Sequence, residues 1–251
     1  MGWLSCFRLG LSRRGRNIMA VALLLALVGT LPLRLLLGVA GVEEMGLAAR
    51  SVRGLVWWGT AEDVQAGPVR IGTVDVRLSP LPLLLGRARF EISRNLGVGQ
   101  DGNLPDDIQG ALTIGIASRG IDDMSGTLPM GGALAPLPVS AMALQDVSIA
   151  FSGARCVRAK GRMRALLSAG LPGMDLANGL SGEVRCDGAD LLIALVSQSG
   201  VERIDLRVDA MGRYHGAMTV ASSDPGIVLA LGAAGFRSVG TSQILLVGGA
   251  L

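Results

Sequence analysis

Histidine and lysine are almost absent from this sequence, which contains one of each, His215 and Lys160. A single histidine cannot build a multi-histidine metal site, and it argues against a serine or cysteine nucleophile activated by histidine. His215 lies in an alternating stretch, RYHGAMTV, where we expect an exposed strand position. The sequence therefore predicts no enzyme, no catalytic residue, no metal site and no cofactor.

Two other patterns could indicate ligand binding, and both fail on their context. GVGQDG at 97–102 has the letters of a nucleotide-binding GxGxxG motif, but Asn-Leu-Pro follows it instead of a helix that could hold a pyrophosphate. We expect a hairpin turn there. The aspartate pairs 106–107 and 122–123 are adjacent, whereas the ligands of a calcium loop are spaced, so they are predicted to be solvated turn carboxylates.

Aromatic residues make up only 3% of the chain, which excludes a thick core built around large rings. The apolar strand faces must instead be leucine, isoleucine, valine and alanine that cover one another in a curved or folded sheet. Half of all residues are nevertheless hydrophobic and 17% are charged, with a mean hydropathy of +0.50. That composition is too apolar for an ordinary soluble domain, and it indicates contact with a membrane.

The predicted membrane contact is residues 17–40, NIMAVALLLALVGTLPLRLLLGVA, with one charge, Arg34. About 20 apolar residues suffice to cross the hydrocarbon core of a bilayer. Four arginines and no acidic residue precede this segment, so we expect residues 1–16 to be a cytoplasmic basic tail and 41–251 to lie on the opposite side of the membrane. A cleaved signal peptide is the alternative, with small residues at 38–41, although the apolar stretch exceeds the usual signal core.

Charge and cysteine usage are consistent with an exported body. The four arginines of the tail exceed the formal net charge of +3, so the rest of the chain has no basic surface for nucleic acid. Cys6 lies in the tail, and Cys156 and Cys186 lie in the exported part without CxxC spacing or nearby histidines. A structural disulfide between these two is predicted, and two free buried thiols are the alternative.

Past residue 50 the apolar residues recur with a period of two, which is typical of strands with one apolar and one polar face. The alternation is clear at 88–94 and 203–209, and it recurs at 112–116 and 147–151. In the segment 69–78 the alternation changes phase at Gly72-Thr73, which predicts a bulge. Short turns separate these runs and predict an antiparallel meander.

Further patterns complete the predicted architecture. The segments 201–208 and 213–220 should form a hairpin, and LLIALV at 191–196 should be a strand that is buried on both faces or covered by a short helix. Short helices are expected at 46–52, near 164–170, and at 224–236, where an aspartate and a proline start the segment. The predicted fold class is all-β, a mainly antiparallel, curved or groove-like sheet with one N-terminal transmembrane helix and one or two short helices.

The stretch after the anchor carries a family resemblance. A glycine, an aliphatic pair, a tryptophan and a glycine are followed by a strand, a proline, leucines and a final glycine. These residues are Gly54, Leu55, Val56, Trp57, Gly59, Pro80, Leu83, Leu84, Leu85 and Gly86. In this order they resemble the N component of the bacterial type II secretion system, most strongly over 50–92, although Val76 or a neighbour replaces a tryptophan that many family members have.

The resemblance implies a single-pass protein of the bacterial inner membrane with a mostly β periplasmic domain and no catalytic residue. Its function would be that of a non-enzymatic accessory component that assembles or interacts with other type II secretion proteins. The alternative is a membrane-anchored β-groove module that binds or transfers lipid in the cell envelope. Trp57 and Trp58 would start the first strand close to the bilayer, one ring under the sheet and the other toward the headgroups or a partner, or both would plug the end of the sheet.

Overall fold

A computed structural model describes residues 47–94, 108–167 and 178–250, together with positions 17, 19, 22 and 30. Within that part of the chain, no helix combines the length and apolarity needed to cross a bilayer. The predicted tail at 1–16 and the anchor at 17–40 lie outside the described residues, apart from these four positions. The turn predicted at 97–102 and the aspartates at 106–107 also lie outside them.

From residue 47 onward, the described residues form fifteen strands and two short helices. The strands are β1 Leu47–Ala48, β2 Ser51–Leu55, β3 Trp58–Ala66, β4 Val69–Ser79, β5 Arg87–Arg94, β6 Ile108–Gly115, β7 Ser118–Pro129, β8 Val139–Ser152, β9 Arg155–Leu167, β10 Leu180–Asp187, β11 Asp190–Val196, β12 Glu202–Val208, β13 Arg213–Ala221, β14 Arg237–Val239 and β15 Ser242–Ala250. The helices are α1 Pro80–Leu83, between β4 and β5, and α2 Pro225–Ala233, between β13 and β14.

All the strands belong to one open antiparallel sheet. From β3 to β13 each strand pairs with the next one along the chain, and the order then ends β13-β15-β14. At the other edge β1 and β2 pair with successive parts of β3, so they continue one another along the same edge. Short turns allow only antiparallel neighbours, and the all-β antiparallel fold predicted from the sequence is confirmed.

The alternation predicted from the sequence is present in the strands. Phe90 is buried in β5, and Ile204 and Leu206 are buried in β12 between less buried or exposed neighbours. The predicted hairpin of β12 and β13 forms with continuous register. Ile116 departs from the pattern, because β6 ends one residue earlier and the side chain is fully exposed in the turn that follows.

Two of the three predicted helices are wrong. Residues 47–48 and 51–52 lie in β1 and β2, and residues 164–167 lie in β9. In both places the pairing with a neighbouring strand outweighs weak helical propensity. The third prediction is confirmed by α2, where the Asp224 carboxylate accepts hydrogen bonds from the backbone N–H groups of Gly226 and Ile227, at 2.7 Å and 3.2 Å.

The apolar face of the sheet carries two clusters of buried side chains. The smaller contains Phe90 with five neighbours from β3, β4 and the β2–β3 turn: Val56, Ala61, Val74, Val76 and Leu78. The larger extends from β7 to β15 and includes the loop 130–138 and Val69 at the start of β4. Tyr214, on the apolar face of β13, donates a hydrogen bond to the carbonyl oxygen of Ala133 over 2.7 Å, so this loop covers the apolar face there.

Bulges and long arginine contacts show how the sheet curves. The register of β3 against β4 shifts around Val64. The partner of Val64 is Gly72, which has a φ of +88°. The bulge predicted from the phase change at Gly72-Thr73 is therefore present. Further shifts occur between β7 and β8 and between β8 and β9. The Arg119 guanidinium at the start of β7 donates to the carbonyl of Ala210 in the β12–β13 turn, five strands away in the sheet. The sheet therefore curls toward its own apolar face.

Cys156 and Cys186 form the predicted disulfide, which joins the start of β9 to the end of β10. The paired residues of these two strands run from Leu180 with Ala165 to Glu183 with Arg162. Beyond that point the Cys156 N–H donates to the carbonyl of Ala189, and the disulfide holds the strand ends together. LLIALV at 191–196 is confirmed as strand β11, in which the consecutive residues Leu191, Leu192 and Ile193 are all buried.

Candidate functional site

The residues of the family motif gather at one end of the sheet. The β2–β3 turn contains Trp57, and the β4–β5 connection contains α1 and Gly86. These two connections are neighbours, because the N–H of Leu78 at the end of β4 donates to the carbonyl of Val56 in the turn, at 3.2 Å. We call this end, with the turns at 56–57, 80–86, 116–117 and 209–212, the motif end.

Gly54 and Gly59 have a steric reason to be glycine. They face each other across the β2–β3 hairpin, and Gly54 has a φ of +95°. A Cβ on Gly54 would lie 2.5 Å from the carbonyl oxygen of Trp58 and 2.9 Å from the Cα of Gly59. The motif glycines therefore allow the two strands to approach closely beside the tryptophan turn.

The two tryptophans differ in their surroundings. Trp57 is half-buried and packs against the smaller cluster, whereas Trp58 is 67% exposed. One ring thus packs under the sheet and the other lies outside it. This arrangement differs from the alternative in which both rings plug the end of the sheet. Val56 and Trp57 form the turn between β2 and β3, so they do not start the first strand.

The motif end is far from the point where the chain joins the sheet. Leu47 pairs with Ala66 at the opposite end of β3. Trp58 begins the same strand, so the length of β3, about 27 Å at 3.4 Å per residue, separates the two. A bilayer close to Leu47 would therefore be on the side away from the tryptophans.

The β4–β5 connection, residues 80–86, is called the motif loop below, and its leucines are exposed. Pro80 occupies the first turn of α1, and Gly86 ends the connection with a φ of +70°. Between them the exposed fractions are 77% for Leu81, 84% for Leu84 and 80% for Leu85. Leu83 is also exposed, at 38%. Since these side chains contribute little to the core, their apolar surface is available to a partner.

Neighbouring turns add further apolar side chains to this end. Ile116, in the β6–β7 turn, is 100% exposed, and Met211, in the β12–β13 turn, is 73% exposed. The Arg119 guanidinium approaches the Met211 sulfur to 3.8 Å, which places the two turns side by side. We call the exposed apolar side chains of this end the apolar rim. It consists of Trp58, Leu81, Leu84, Leu85, Ile116 and Met211.

A groove of about 590 Å³ lies beside the rim. Its floor follows one cross-strand row of the sheet, Arg89, Thr113, Gly120, Ala150 and Arg158, contributed by β5 to β9 in turn. The small residues at the centre of the row leave a depression, and arginines stand at both ends. Leucines of the motif loop line the groove as well.

The charges of the groove are predominantly positive. Asp122 accepts hydrogen bonds from the Arg89 guanidinium at 3.1 Å and the Thr113 hydroxyl at 2.6 Å, and it also pairs with Arg158. Its side chain is 14% exposed. Arg87 also lines the groove. The backbone of Arg119 borders it, but the Arg119 guanidinium extends to Ala210 and Met211 in the β12–β13 turn, so three arginine side chains accompany one carboxylate. We call this site the arginine groove.

The neighbouring Asp123 is held in its charged form. The Ser148 hydroxyl donates to its carboxylate over 3.0 Å, and Lys160 lies 3.4 Å away. The hydrogen bond from Ser148, followed by the hydrogen bond and the charge of Lys160, lowers the pKa of Asp123 below its ordinary value. The predicted turn is therefore wrong for both residues, and only Asp123, whose side chain is 63% exposed, is a solvated carboxylate as predicted. Both lie within β7 and pair with cations of β9, because the sheet brings these strands together on either side of β8.

The other candidates from the sequence are the single histidine and the potential metal ligands. His215 is exposed on β13, as expected. Among the described residues no group of three or more histidine, cysteine, aspartate or glutamate side chains is placed to hold a metal ion. Sequence reasoning missed the arginine groove, because its residues come from separate strands and each arginine alone looks like part of a solvated face. The signal in the sequence is that arginine-rich segments flank two segments with small residues, Gly120 and Ala150. It becomes a groove only when the strands pair in this register.

The fold and this end together define an all-β protein, a single antiparallel meander with an exposed apolar rim and a cationic groove at one end. A family model described as type II secretion system (T2SS), protein N, matches residues 45–239, well over half of the chain. The chain belongs to that family, and the resemblance drawn from the motif residues is confirmed. The family is a component of type II secretion, which is therefore the process in which this chain takes part. No curated protein and no solved structure gives a significant match.

Proposed function

We propose that this protein is a non-enzymatic accessory component of type II secretion, anchored in the inner membrane by residues 17–40, whose periplasmic sheet binds another secretion protein through the apolar rim. The observation that carries the proposal is the exposure of the motif leucines, with Leu84 at 84%. An apolar motif residue that is exposed to solvent and does not pack in the core is best explained by contact with a partner. Other type II secretion proteins are the partners that family membership suggests.

The position of the rim supports this arrangement. The chain joins the sheet at Leu47, which pairs with Ala66 at the end of β3 away from the rim. An anchor before Leu47 would hold that end of β3 near the bilayer. The rim would then project about 27 Å farther into the periplasm, where envelope-spanning partners are accessible. The disulfide between Cys156 and Cys186 fits an oxidising compartment.

The lipid-handling alternative lacks comparable support. A groove for acyl chains on the apolar face would require that face to be open. Over the larger cluster it is instead packed with side chains and covered by the loop 130–138. We therefore propose protein binding at the motif end.

Anchoring predicts that the full-length chain resists extraction from membranes. The apolar segment at 17–40 should keep the protein in the pellet after an alkaline carbonate wash, because about 20 apolar residues bind a bilayer almost irreversibly. A chain that starts at residue 45 and carries a cleavable export signal should appear in the soluble periplasmic fraction. Full-length protein in the carbonate supernatant, or an N-terminus cut near residue 40, would contradict the anchor.

Removing apolar surface from the rim should impair secretion. The double variant Leu81→Gln/Leu84→Gln should lower export of a type II cargo enzyme by about tenfold or more, because truncating a central apolar contact costs about 1–2 kcal/mol and the two changes combine. Extracellular cargo activity in a deletion strain that expresses each variant is the measurement.

The matched control is Leu229→Gln/Leu246→Gln. These leucines are 80% and 70% exposed, on α2 and β15, and neither belongs to the rim. The control should secrete like wild type at equal protein level. Normal secretion by the rim variant, or equal loss in both variants, would argue against the rim as the working surface.

A further inference from the structure

The arginine groove has cationic capacity that its own carboxylate does not use. Asp122 pairs with Arg89 and Arg158, which leaves Arg87. Arg119 donates to a backbone carbonyl, and Arg87 is exposed and forms no ion pair with any residue that the structure describes. Guanidinium groups in such positions bind carboxylates strongly, often through two parallel hydrogen bonds.

The groove also offers apolar surface next to these charges. Leu81 and Leu85 line it on the side of the motif loop, and Val157, which is 60% exposed, lines it near the start of β9. Its volume of about 590 Å³ is within the usual range for binding pockets and accommodates several side chains. The lining therefore complements a ligand in which an anionic group and an apolar group are close together.

We propose that the arginine groove binds an acidic peptide segment of a protein partner, with a carboxylate on Arg87 and an adjacent apolar side chain against Leu85. This proposal rests on the proposed function, because it names the chemistry of the partner that the neighbouring rim engages. The rim and the groove share Leu81 and Leu85, so one partner segment can contact both.

A peptide suits this groove better than a phospholipid. An acyl chain has more than a dozen methylenes, and each gains about 0.8 kcal/mol when it leaves water. The groove presents only a few apolar side chains, and most of such a chain would stay in water. A short segment with alternating acidic and apolar residues matches the groove, since successive side chains of an extended peptide point to opposite sides.

Peptide binding to the purified full-length chain in a non-ionic detergent tests the proposal. The probe is a fluorescein-labelled octapeptide that alternates leucine and glutamate, and the comparison peptide has glutamine in place of glutamate. Fluorescence anisotropy should show saturable binding of the acidic peptide, at least tenfold tighter than that of the neutral one. Raising the salt concentration should weaken this binding.

Two variants test the groove in different ways. Arg87→Gln removes the exposed cation, and Ala150→Leu fills the floor without changing the charge. Each should weaken binding of the acidic peptide at least tenfold. Arg70→Gln removes an exposed arginine near the opposite end of β4 and should bind like wild type. Because Arg87 and Ala150 are not in the buried clusters, unchanged thermal melting should show that the variants are folded.

Other outcomes would overturn the assignment. Equal affinity for the two peptides, or equal effects of Arg87→Gln and Arg70→Gln, would show that the groove does not select acidic segments. Displacement of the acidic peptide by soluble dihexanoyl phosphatidylglycerol at lower concentration than by unlabelled peptide would identify a lipid anion instead. If the rim variant blocks secretion while neither peptide binds, the proposed function stands and only this inference fails.

Discussion

Replacing Phe90 by alanine should lower the free energy of unfolding by about 3–5 kcal/mol, one of the two largest effects expected of any change described for this protein. Phe90 is 2% exposed and is the only aromatic residue among the six buried members of the smaller cluster. It pairs in register with Leu78 on β4 and with Leu112 on β6, so it connects three strands on the apolar face. Urea unfolding followed by far-ultraviolet circular dichroism gives the measurement.

The control for this change is an exposed strand residue. Leu246→Ala, on β15, removes a side chain that is 70% exposed and should change the free energy of unfolding by about 0.5 kcal/mol or less. A small effect of Phe90→Ala would mean that β2 to β6 do not depend on this cluster. It would also weaken the account of Trp57, which packs against the same cluster.

Removing the disulfide should cost about 3 kcal/mol of stability. The bond between Cys156 and Cys186 closes a loop with a sequence separation of 30 residues, and a loop of this length restricts the unfolded chain by about that amount. The bond also holds the ends of β9 and β10 beyond the last paired residues of their ladder. The variant Cys156→Ala/Cys186→Ala should therefore unfold at lower urea concentration than wild type.

A reducing agent provides the internal control for the disulfide. It should shift the unfolding midpoint of the wild-type protein toward that of the double variant and leave the variant itself unchanged. Equal midpoints for oxidised wild type and the variant would show that the bond adds no stability. Two free thiols in wild-type protein purified from the periplasm would contradict the bond itself.

Much of the sheet could be predicted from local patterns. Alternation at 88–94 and 203–209 indicates β5 and β12, and the phase change at Gly72 marks a real shift in register. Capping chemistry at Asp224 correctly predicts α2. The helices expected at 46–52 and 164–170 are wrong where the structure describes them, because their residues gain more from a neighbouring strand than from a short helix.

The candidate site divides in the same way. The motif residues around Trp57 and Gly86 were identified from their order in the chain, and the family match confirms the family that they indicate. The exposure of Leu84 and the groove between Arg89 and Arg158 could not be read from order. Both depend on which strands meet and how far each side chain projects above its neighbours.

Local sequence thus sufficed for most of the strand content, the alternation of faces, the disulfide partners and the family, because each depends on residues close together in the chain or on the scarcity of alternatives. Tertiary structure alone placed Asp122 between arginines from β5 and β9 and brought the β12–β13 turn beside the start of β7. The physical reason is that a meander has local pairing but long-range curvature. Bulges such as those between β7 and β8 bend the sheet, and that bend decides which distant side chains share a surface.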